Sequence, residues 1–377
     1  MLYSTHCVIH LKNIIHNIKS IKETVNNNSK IMIAVKADAY GHGAIEISKL
    51  AQDSGLVDYL AIATVQEGVE LRKAGITLPI LKLSPAFEEE MEAAIANNIT
   101  ICVCEKANIL KYNQIAINNN KKAKIHLQLD TGMGRVGITN LEEAINIANI
   151  VKNKCQGLEL EGIMTHLPVS DDNTNRTFTE RQIDKFNFIT NAIEKELSFK
   201  FKLRHCANSA AIITYPNAYF DMVRSGIIVY GYYPSENIPH TLDLKPGLSF
   251  KSKLSFIKKV KKGTSIGYGR TWIAPDDTWI ATFPTGYADG FNRLFSNSGK
   301  VLINGLFCPI IGRVCMDQTM CSLGNTEKCN AKVGDEVILI GESGKEKISA
   351  DDWAKSLNTI SYEILCKISK RVKRYYD

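Results

Sequence analysis

Ile31-Met32-Ile33-Ala34-Val35-Lys36-Ala37-Asp38-Ala39-Tyr40-Gly41-His42-Gly43 is a short apolar run that ends at a lysine and passes into a glycine-containing turn and a helical pattern. The apolar part reads as a buried strand. A lysine needs water or a partner for its charge, so a strand that buries its neighbours and then presents Lys36 delivers an amine to a site. Partial desolvation lowers the pKa of an amine and makes it a usable nucleophile and base. That chemistry suits condensation with a cofactor aldehyde such as pyridoxal phosphate. Taken alone, a lysine in this place more often just snorkels to solvent. The rest of the chain decides.

Working outward, apolar strand-like runs recur near 31–36, 59–64, 79–84, 100–104, 124–130, 158–166, 200–206 and 222–230. Helical patterns lie between most of them, as at Val65 to Ala74 and Leu141 to Val151, and the last, near Asn208 to Thr214, is short. Eight strands alternating with helices predict a parallel (β/α)8 barrel of the TIM type, with an open doubly wound sheet as the alternative. Near 232–247 the pattern gives way to a linker punctuated by Pro234, Pro239 and Pro246-Gly247. Short alternating strands follow at Leu248–Ile257, Trp279–Phe283, Lys300–Ile303 and Glu336–Ile340, with a helix over Ala350–Leu357. The expected organisation is a barrel over 1–240, including an N-terminal lead-in, and a β-rich domain over 241–377.

The 377 residues suffice for two such domains, and 45% hydrophobic residues can supply their cores. The net charge of +7 is spread along the chain. Clusters such as Lys258-Lys259 with Lys261-Lys262 lack interleaved aromatics, which predicts a solvated face and no nucleic-acid partner. Ten cysteines without a CxxC pair predict free thiols in a reducing cytoplasm and no metal site. Leu11, Ile14, Ile15, Ile18 and Ile21 recur at helical spacing among lysines, so the N-terminal region reads as an amphipathic helix, with no signal peptide and no membrane span.

The run AVKADAYGHG resembles the cofactor-lysine motif of the alanine racemases. Further segments follow in the family's order: Leu129-Asp130-Thr131-Gly132-Met133-Gly134-Arg135-Val136-Gly137, Gly162 to His166, Val223-Arg224-Ser225-Gly226-Ile227, Thr285 to Gly290, Gly312 to Gln318 and Thr359 to Cys366. One such motif is weak evidence; the ordered set spans nearly the whole chain. The resemblance implies a pyridoxal-phosphate-dependent racemase of alanine that supplies D-alanine for peptidoglycan. It also favours the closed barrel. Lys36, Arg135, His166, Asn208 with Ser209, and the 224–227 turn each follow a strand, where barrel active sites are built.

By resemblance, Lys36 anchors the cofactor, and Ser209, the backbone at Gly226 and Ile227, and the hydroxyls of Tyr40 and Tyr362 cradle its phosphate, with Asn208 and His166 alongside. Read alone, Asn208-Ser209 is a simple helix cap. Arg224 faces the pyridine nitrogen. Arginine has no acceptor, so it donates to an unprotonated ring, a weaker electron sink than a pyridinium. Racemisation calls for a base on each face of a planar carbon. Lys36 is one and Tyr268 the other, with a phenol pKa lowered by a network through His166 and Arg224. In the family the tyrosine comes from the partner subunit, which implies a homodimer with shared active sites. Arg135 and the backbone at Met316 hold the carboxylate of a small amino acid. Tyr287 and Tyr362 narrow the entrance, and Asp171, Arg293 and Arg313 match the entry channel.

Two departures stand out. Many relatives carry an often carbamylated lysine where this chain has Gln128, which is expected here to accept a hydrogen bond from Arg135. Leu167-Pro168 replaces a more usual aromatic-and-small pair. Competing readings are a racemase of serine or of broader specificity, a barrel-fold decarboxylase and a non-catalytic pyridoxal phosphate carrier. Arg224 argues against the decarboxylase, because those enzymes usually pair the ring nitrogen with a carboxylate. The second domain argues against the carrier.

Overall fold

The computed structural model describes residues 4–25, 29–324 and 330–377. They form two compact units: Asn13–Lys245, and the described residues before Asn13 together with Pro246–Asp377.

The first unit is a barrel of eight strands: β1 (Lys30–Ala34), β2 (Tyr59–Ile62), β3 (Ile80–Lys82), β4 (Ile99–Val103), β5 (Ala123–Gln128), β6 (Leu158–Met164), β7 (Leu203–His205) and β8 (Met222–Ser225). Neighbours pair in parallel from β1 to β7, and β8 pairs with β1. The seam between β7 and β8 is bridged by Asp221 N–H donating to the Arg204 carbonyl at 3.0 Å and Arg224 N–H to the Ala207 carbonyl at 2.9 Å. The barrel, not the open sheet, is therefore the architecture. Each of the eight strands overlaps its expected segment, and none starts more than one residue before it. The helix Leu11–Thr24 buries Ile14, Ile18 and Ile21 on one face, as its spacing predicts. Asn17 joins that face because its side chain is fully bonded, donating to the Val229 and Lys245 carbonyls and accepting from Lys245 N–H.

Barrel interiors are usually filled with branched aliphatic residues. Here one flank is polar. Tyr59, Thr100, His126, Glu161, His205 and Arg224 are all buried. A β-bulge makes this possible: Ile125 pairs with Leu160 and His126 with Gly162, leaving Glu161 as the extra residue. The bulge turns Glu161 inward, where it meets His126 and Tyr59. Gly162 provides the space, since a Cβ there would lie 2.8 Å from the His126 ring and from the Leu203 carbonyl.

In the second unit a seven-stranded sheet carries His6–Ile9 between Leu248–Lys253 (antiparallel) and Lys373–Tyr376 (parallel). The expected lead-in to the barrel is thus a strand of the other unit, and the break between units falls at Lys245–Pro246. The expected strand Leu248–Ile257 is two. Its first part stays in the large sheet, and Phe256–Val260 joins a three-stranded sheet with Thr278–Phe283 and Thr319–Gly324. The switch occurs where Leu254 N–H bonds to Asp335 and Ser255 N–H to Thr282. Phe250, Phe291 and Phe295 pack edge-on around Trp353. Trp353 lies on the helix Ala350–Leu357, whose start is closed by a Ser349–Asp352 capping box. Among the described residues no helix is long and apolar enough to cross a membrane, and no group of three or more His, Cys, Asp or Glu could hold a metal ion.

Candidate active site

Lys36 stands two residues beyond β1, at the start of an unusual turn. Ala37, Asp38, Ala39 and Tyr40 all have φ between 52° and 55°, a left-handed helical turn made of non-glycine residues. Such residues cost roughly 1–2 kcal/mol each in that conformation. The turn persists because its surroundings over-determine it. Glu67 accepts from Ala37 N–H at 2.7 Å with one oxygen and from Ala63 N–H at 2.8 Å with the other. Asp38 accepts from Ala44 N–H at 2.8 Å. The turn lays the Tyr40 ring on Tyr230, with ring centroids 5.0 Å apart. Sequence reasoning passed over Glu67, which resembles any helix-start glutamate in the Thr64-to-Glu67 capping box.

Tyr40, Ser209 and Gly226 converge on the same rim. A Cβ on Gly226 would lie 3.1 Å from the Tyr40 hydroxyl and 3.3 Å from Ser209 Oγ. Gly226 N–H donates to Ser209 Oγ at 2.8 Å, and Ile227 opens the following 3-10 turn. The space at Gly226 is therefore ringed by two hydroxyls able to donate to phosphate, while the Gly226 amide is bonded to Ser209. Asn208 works differently. Its Oδ1 accepts from Ala211 N–H at 3.0 Å and from Ser170 Oγ at 2.8 Å, while Nδ2 donates to the Leu167 carbonyl at 2.8 Å. The cap reading of its side chain fits these bonds, and buried Leu167 acquires a role as the anchor of Asn208. Asp171 follows Ser170, half-buried.

Arg224 is held by donation alone. Nη1 reaches the His205 carbonyl at 2.9 Å and His205 Nδ1 at 3.0 Å. Nη2 reaches the carbonyls of Thr165 at 2.7 Å and Cys206 at 3.2 Å, and His166 Nδ1 at 3.2 Å. Among the described residues this leaves Nε–H without a protein acceptor, available to one external acceptor such as an unprotonated ring nitrogen. Burial lowers the Arg224 pKa to about 10. His166 is pushed down to about 3 by burial and then by the charges of Arg224, Arg135 and Lys36.

Behind Arg224 the hydrogen bonds continue. His205 Nε2 lies 2.8 Å from His126 Nδ1, and His126 Nε2 lies 3.2 Å from Glu161 Oε2. Tyr59 donates to the same oxygen at 2.7 Å, and Lys124 to the other at 2.5 Å. Donor logic orders the protons. An arginine cannot accept, so His205 Nδ1 must. His205 therefore carries its proton on Nε2 and donates to His126 Nδ1. His126 carries its own on Nε2 and donates to Glu161. A second proton on either ring would set two N–H groups head to head. Burial lowers the pKa of both histidines. Burial would raise Glu161, but bonds from His126, Lys124 and Tyr59 prevail and hold it at about 2. Neither histidine was singled out in the sequence, where a histidine on a buried strand reads as core.

In the loop after β5, Asp130 accepts from Gly132 N–H at 2.9 Å and Arg135 N–H at 3.0 Å. Burial opposes its charge, yet these and neighbouring backbone amides hold its pKa below the usual carboxylate range. The Arg135 side chain is exposed. Gln128 is buried and its Oε1 has no hydrogen-bond partner, so the expected bond from Arg135 is not made. The reason is local: the turn organised by Asp130 carries Arg135 to the surface.

The second unit gathers its own candidates. Tyr268 is 73% exposed in the 3-10 turn Tyr268–Arg270. It lines a cleft of about 710 Å³ together with Phe256, Lys258, Met316 and Gln318. Arg313 lies beside it, its Nε 3.3 Å from where a Cβ on Gly269 would be. Tyr287 N–H bonds to the Cys315 carbonyl at 3.0 Å, which ties its turn to the Met316 loop. Arg293 is exposed and Tyr362 half-buried.

The family profile "Alanine racemase, N-terminal domain" matches residues 9–234, and "Alanine racemase, C-terminal domain" matches 247–376. The chain belongs to the alanine racemase family. It is 46% identical to an alanine racemase of Cutibacterium acnes over 99% of this chain and 97% of the relative. It is 44% identical to alanine racemase 2 of Caldanaerobacter subterraneus subsp. tengcongensis, over 99% and 94%. The solved alanine racemase of Clostridium difficile 630 superposes with a TM-score of 0.94 at 41% identity, over 100% of this chain and 96% of that one. The Bacillus anthracis family member, solved with bound L-Ala-P, gives 0.92 at 36% identity over 100% and 96%. The family has the barrel and strand-rich second domain found here.

Proposed function

We propose that this chain interconverts L- and D-alanine with pyridoxal phosphate as cofactor, as a homodimer in the cytoplasm, and so supplies D-alanine for peptidoglycan. The observation that carries this reading is the barrel rim, where Lys36, the Gly226 hollow and the unused Nε–H of Arg224 accompany family membership over nearly the whole chain. The residues fit the cofactor. Lys36 supplies the amine for its aldehyde. Ser209, Tyr40 and the Ile227 amide supply phosphate donors, the Gly226 amide joins them when phosphate replaces Ser209 Oγ as its acceptor, and Arg224 donates to the ring nitrogen. Bound pyridoxal phosphate withdraws electrons from the substrate's α-carbon and acidifies its proton.

The chain's residues do the rest. The Lys36 amine takes or returns the α-proton on one face. The Tyr268 hydroxyl of the partner subunit takes or returns it on the other. Arg135 and the Met316 backbone hold the substrate carboxylate, while Tyr287 and Tyr362 keep the pocket small. Asp171, Arg293 and Arg313 line the approach. Serine carries one hydroxyl more than alanine, and a small pocket rejects such an addition by only about 10²-fold, so serine is disfavoured but not barred.

Borohydride reduction of the cofactor-loaded protein should fix the label on the peptide that carries Lys36, and a chiral assay should show alanine racemised ahead of serine. A label on another lysine, or no racemised alanine, refutes the reading. Mixed Lys36→Ala and Tyr268→Phe subunits should regain activity, because one of the two hybrid sites carries neither change. No rescue under demonstrated subunit exchange refutes the shared site.

A further inference from the structure

We propose that Glu161, His126 and His205 form a hydrogen-bond relay that sets how strongly Arg224 donates to the cofactor's ring nitrogen, and so keeps turnover on racemisation and away from transamination. This rests on the reading that Arg224 faces that nitrogen.

The relay is built into the fold. It links β6, β5, β7 and β8 by aligned bonds of 3.2, 2.8 and 3.0 Å. Every proton in it points from Arg224 toward the one carboxylate. A β-bulge brings Glu161 inward, and a glycine at 162 clears room for the His126 ring. Tyr59 and Lys124 satisfy the remaining lone pairs of Glu161, and Thr100 lies 3.3 Å from the Tyr59 hydroxyl. A histidine pair filling space would need none of this. A buried polar network whose members are all satisfied specifies one arrangement of its atoms.

The functional consequence follows from polarisation. The Glu161 charge draws the His126 proton, His126 becomes a better acceptor for His205, and His205 a better acceptor for Arg224. The guanidinium, buried without a carboxylate in direct contact, thereby gains a distant counter-charge. Loss of the Glu161 charge makes Arg224 a stronger acid, and its Nε–H yields more of its proton to the ring nitrogen. A more protonated ring is a better electron sink, and the α-carbanion lives longer. A larger share of α-protons would then be returned to the cofactor's former aldehyde carbon instead of the α-carbon. Water releases pyruvate, while the amino group and the electron pair of the α C–H bond stay with the cofactor.

The test uses the cofactor-loaded protein with 15N-labelled histidine, then with 15N-labelled cofactor. In the wild type, His126 and His205 should both be neutral with the proton on Nε2. In Glu161→Gln the ring-nitrogen signal should move toward the protonated position. Pyruvate formed per racemisation event should rise about tenfold, the size expected when a charge-assisted bond becomes a neutral one. A merely structural glutamate would lower stability and leave the ring-nitrogen signal of the folded fraction alone. If Glu161→Gln does not load cofactor, His126→Gln, which breaks the relay at a neutral link, is read the same way. The opposite tautomer in the wild type, or an unmoved ring-nitrogen signal in a loaded variant, overturns the relay. Arg224→Lys separates the two claims. If it too leaves the signal unmoved, the placement of Arg224 is wrong; if it alone moves the signal, only the relay is.

Discussion

Acid should destabilise this protein well above the pH at which carboxylates titrate. His126 and His205 cannot take a second proton without breaking the chain of bonds to Arg224, and His166 accepts from Arg224 through Nδ1. All three have folded-state pKa values pushed down, first by burial. An unfolded imidazole titrates near pH 6.5. A folded pKa below the unfolded one means that the unfolded chain binds the extra proton. The stability is therefore complete above about pH 6.5 and is lost as the pH falls. At pH 5 an unfolded histidine gains about 2 kcal/mol by protonation, so three set an upper limit of about 6 kcal/mol, against a typical total of 5–15 kcal/mol. The slope there approaches about 4 kcal/mol per pH unit. Glu161 adds nothing in this window, because its depressed pKa moves stability only below about pH 4.5. Urea unfolding of cofactor-free protein at pH 7.5, 6 and 5, at one protein concentration, measures the effect, and proton uptake on unfolding at pH 5 counts the groups. Equal unfolding free energies at pH 7.5 and 5 would refute the tautomer assignment together with the pKa directions.

Tyr268→Phe should keep the cofactor spectrum of the wild type and lose about 10²–10⁴-fold in turnover, the usual contribution of a positioned proton-transfer group; near wild-type racemisation rates would exclude its role as base. Gln128→Met should raise the thermal midpoint, because it removes a buried carbonyl oxygen without a partner, a defect worth about 1–3 kcal/mol; a lowered midpoint would mean that Oε1 is satisfied in solution. Gly226→Ala should weaken pyridoxal phosphate binding at least tenfold with little change in stability, since the added Cβ enters the space between Tyr40 and Ser209; an unchanged dissociation constant, measured by fluorescence titration, would place the phosphate elsewhere.

The barrel was legible because its signals are local. Eight apolar runs, each within one segment of chain and separated by helical patterns, carry the architecture without knowledge of their partners. Residues at strand ends were legible for the same reason, through short motifs such as Lys36 to Gly43. What failed to show is what depends on register or on distance along the chain. His126 and His205 occupy inward positions that any strand alternation offers, and only the bulge at Glu161 joins them to Arg224. The strand His6–Ile9 has its partners in Leu248–Lys253 and Lys373–Tyr376, and nothing in four residues encodes that. Gln128 and Arg135 are near in sequence, but Asp130 sets the turn between them and parts their side chains.

The pairing of His6–Ile9 with Lys373–Tyr376 also sets a timetable for the ribosome. These strands are about 360 residues apart yet lie side by side in one sheet. At about 5–20 residues per second, the earlier strand waits roughly 20–70 s for its later neighbour. The barrel between them is complete in sequence and free to fold during that wait. The Leu248–Lys253 partner of His6–Ile9 emerges about two thirds of the way through that wait, but the side that takes Lys373–Tyr376 keeps unfilled backbone donors and acceptors to the end. That segment of the nascent chain is thus an open β-edge, the kind that a chaperone shields or that pairs with another chain emerging from the same message.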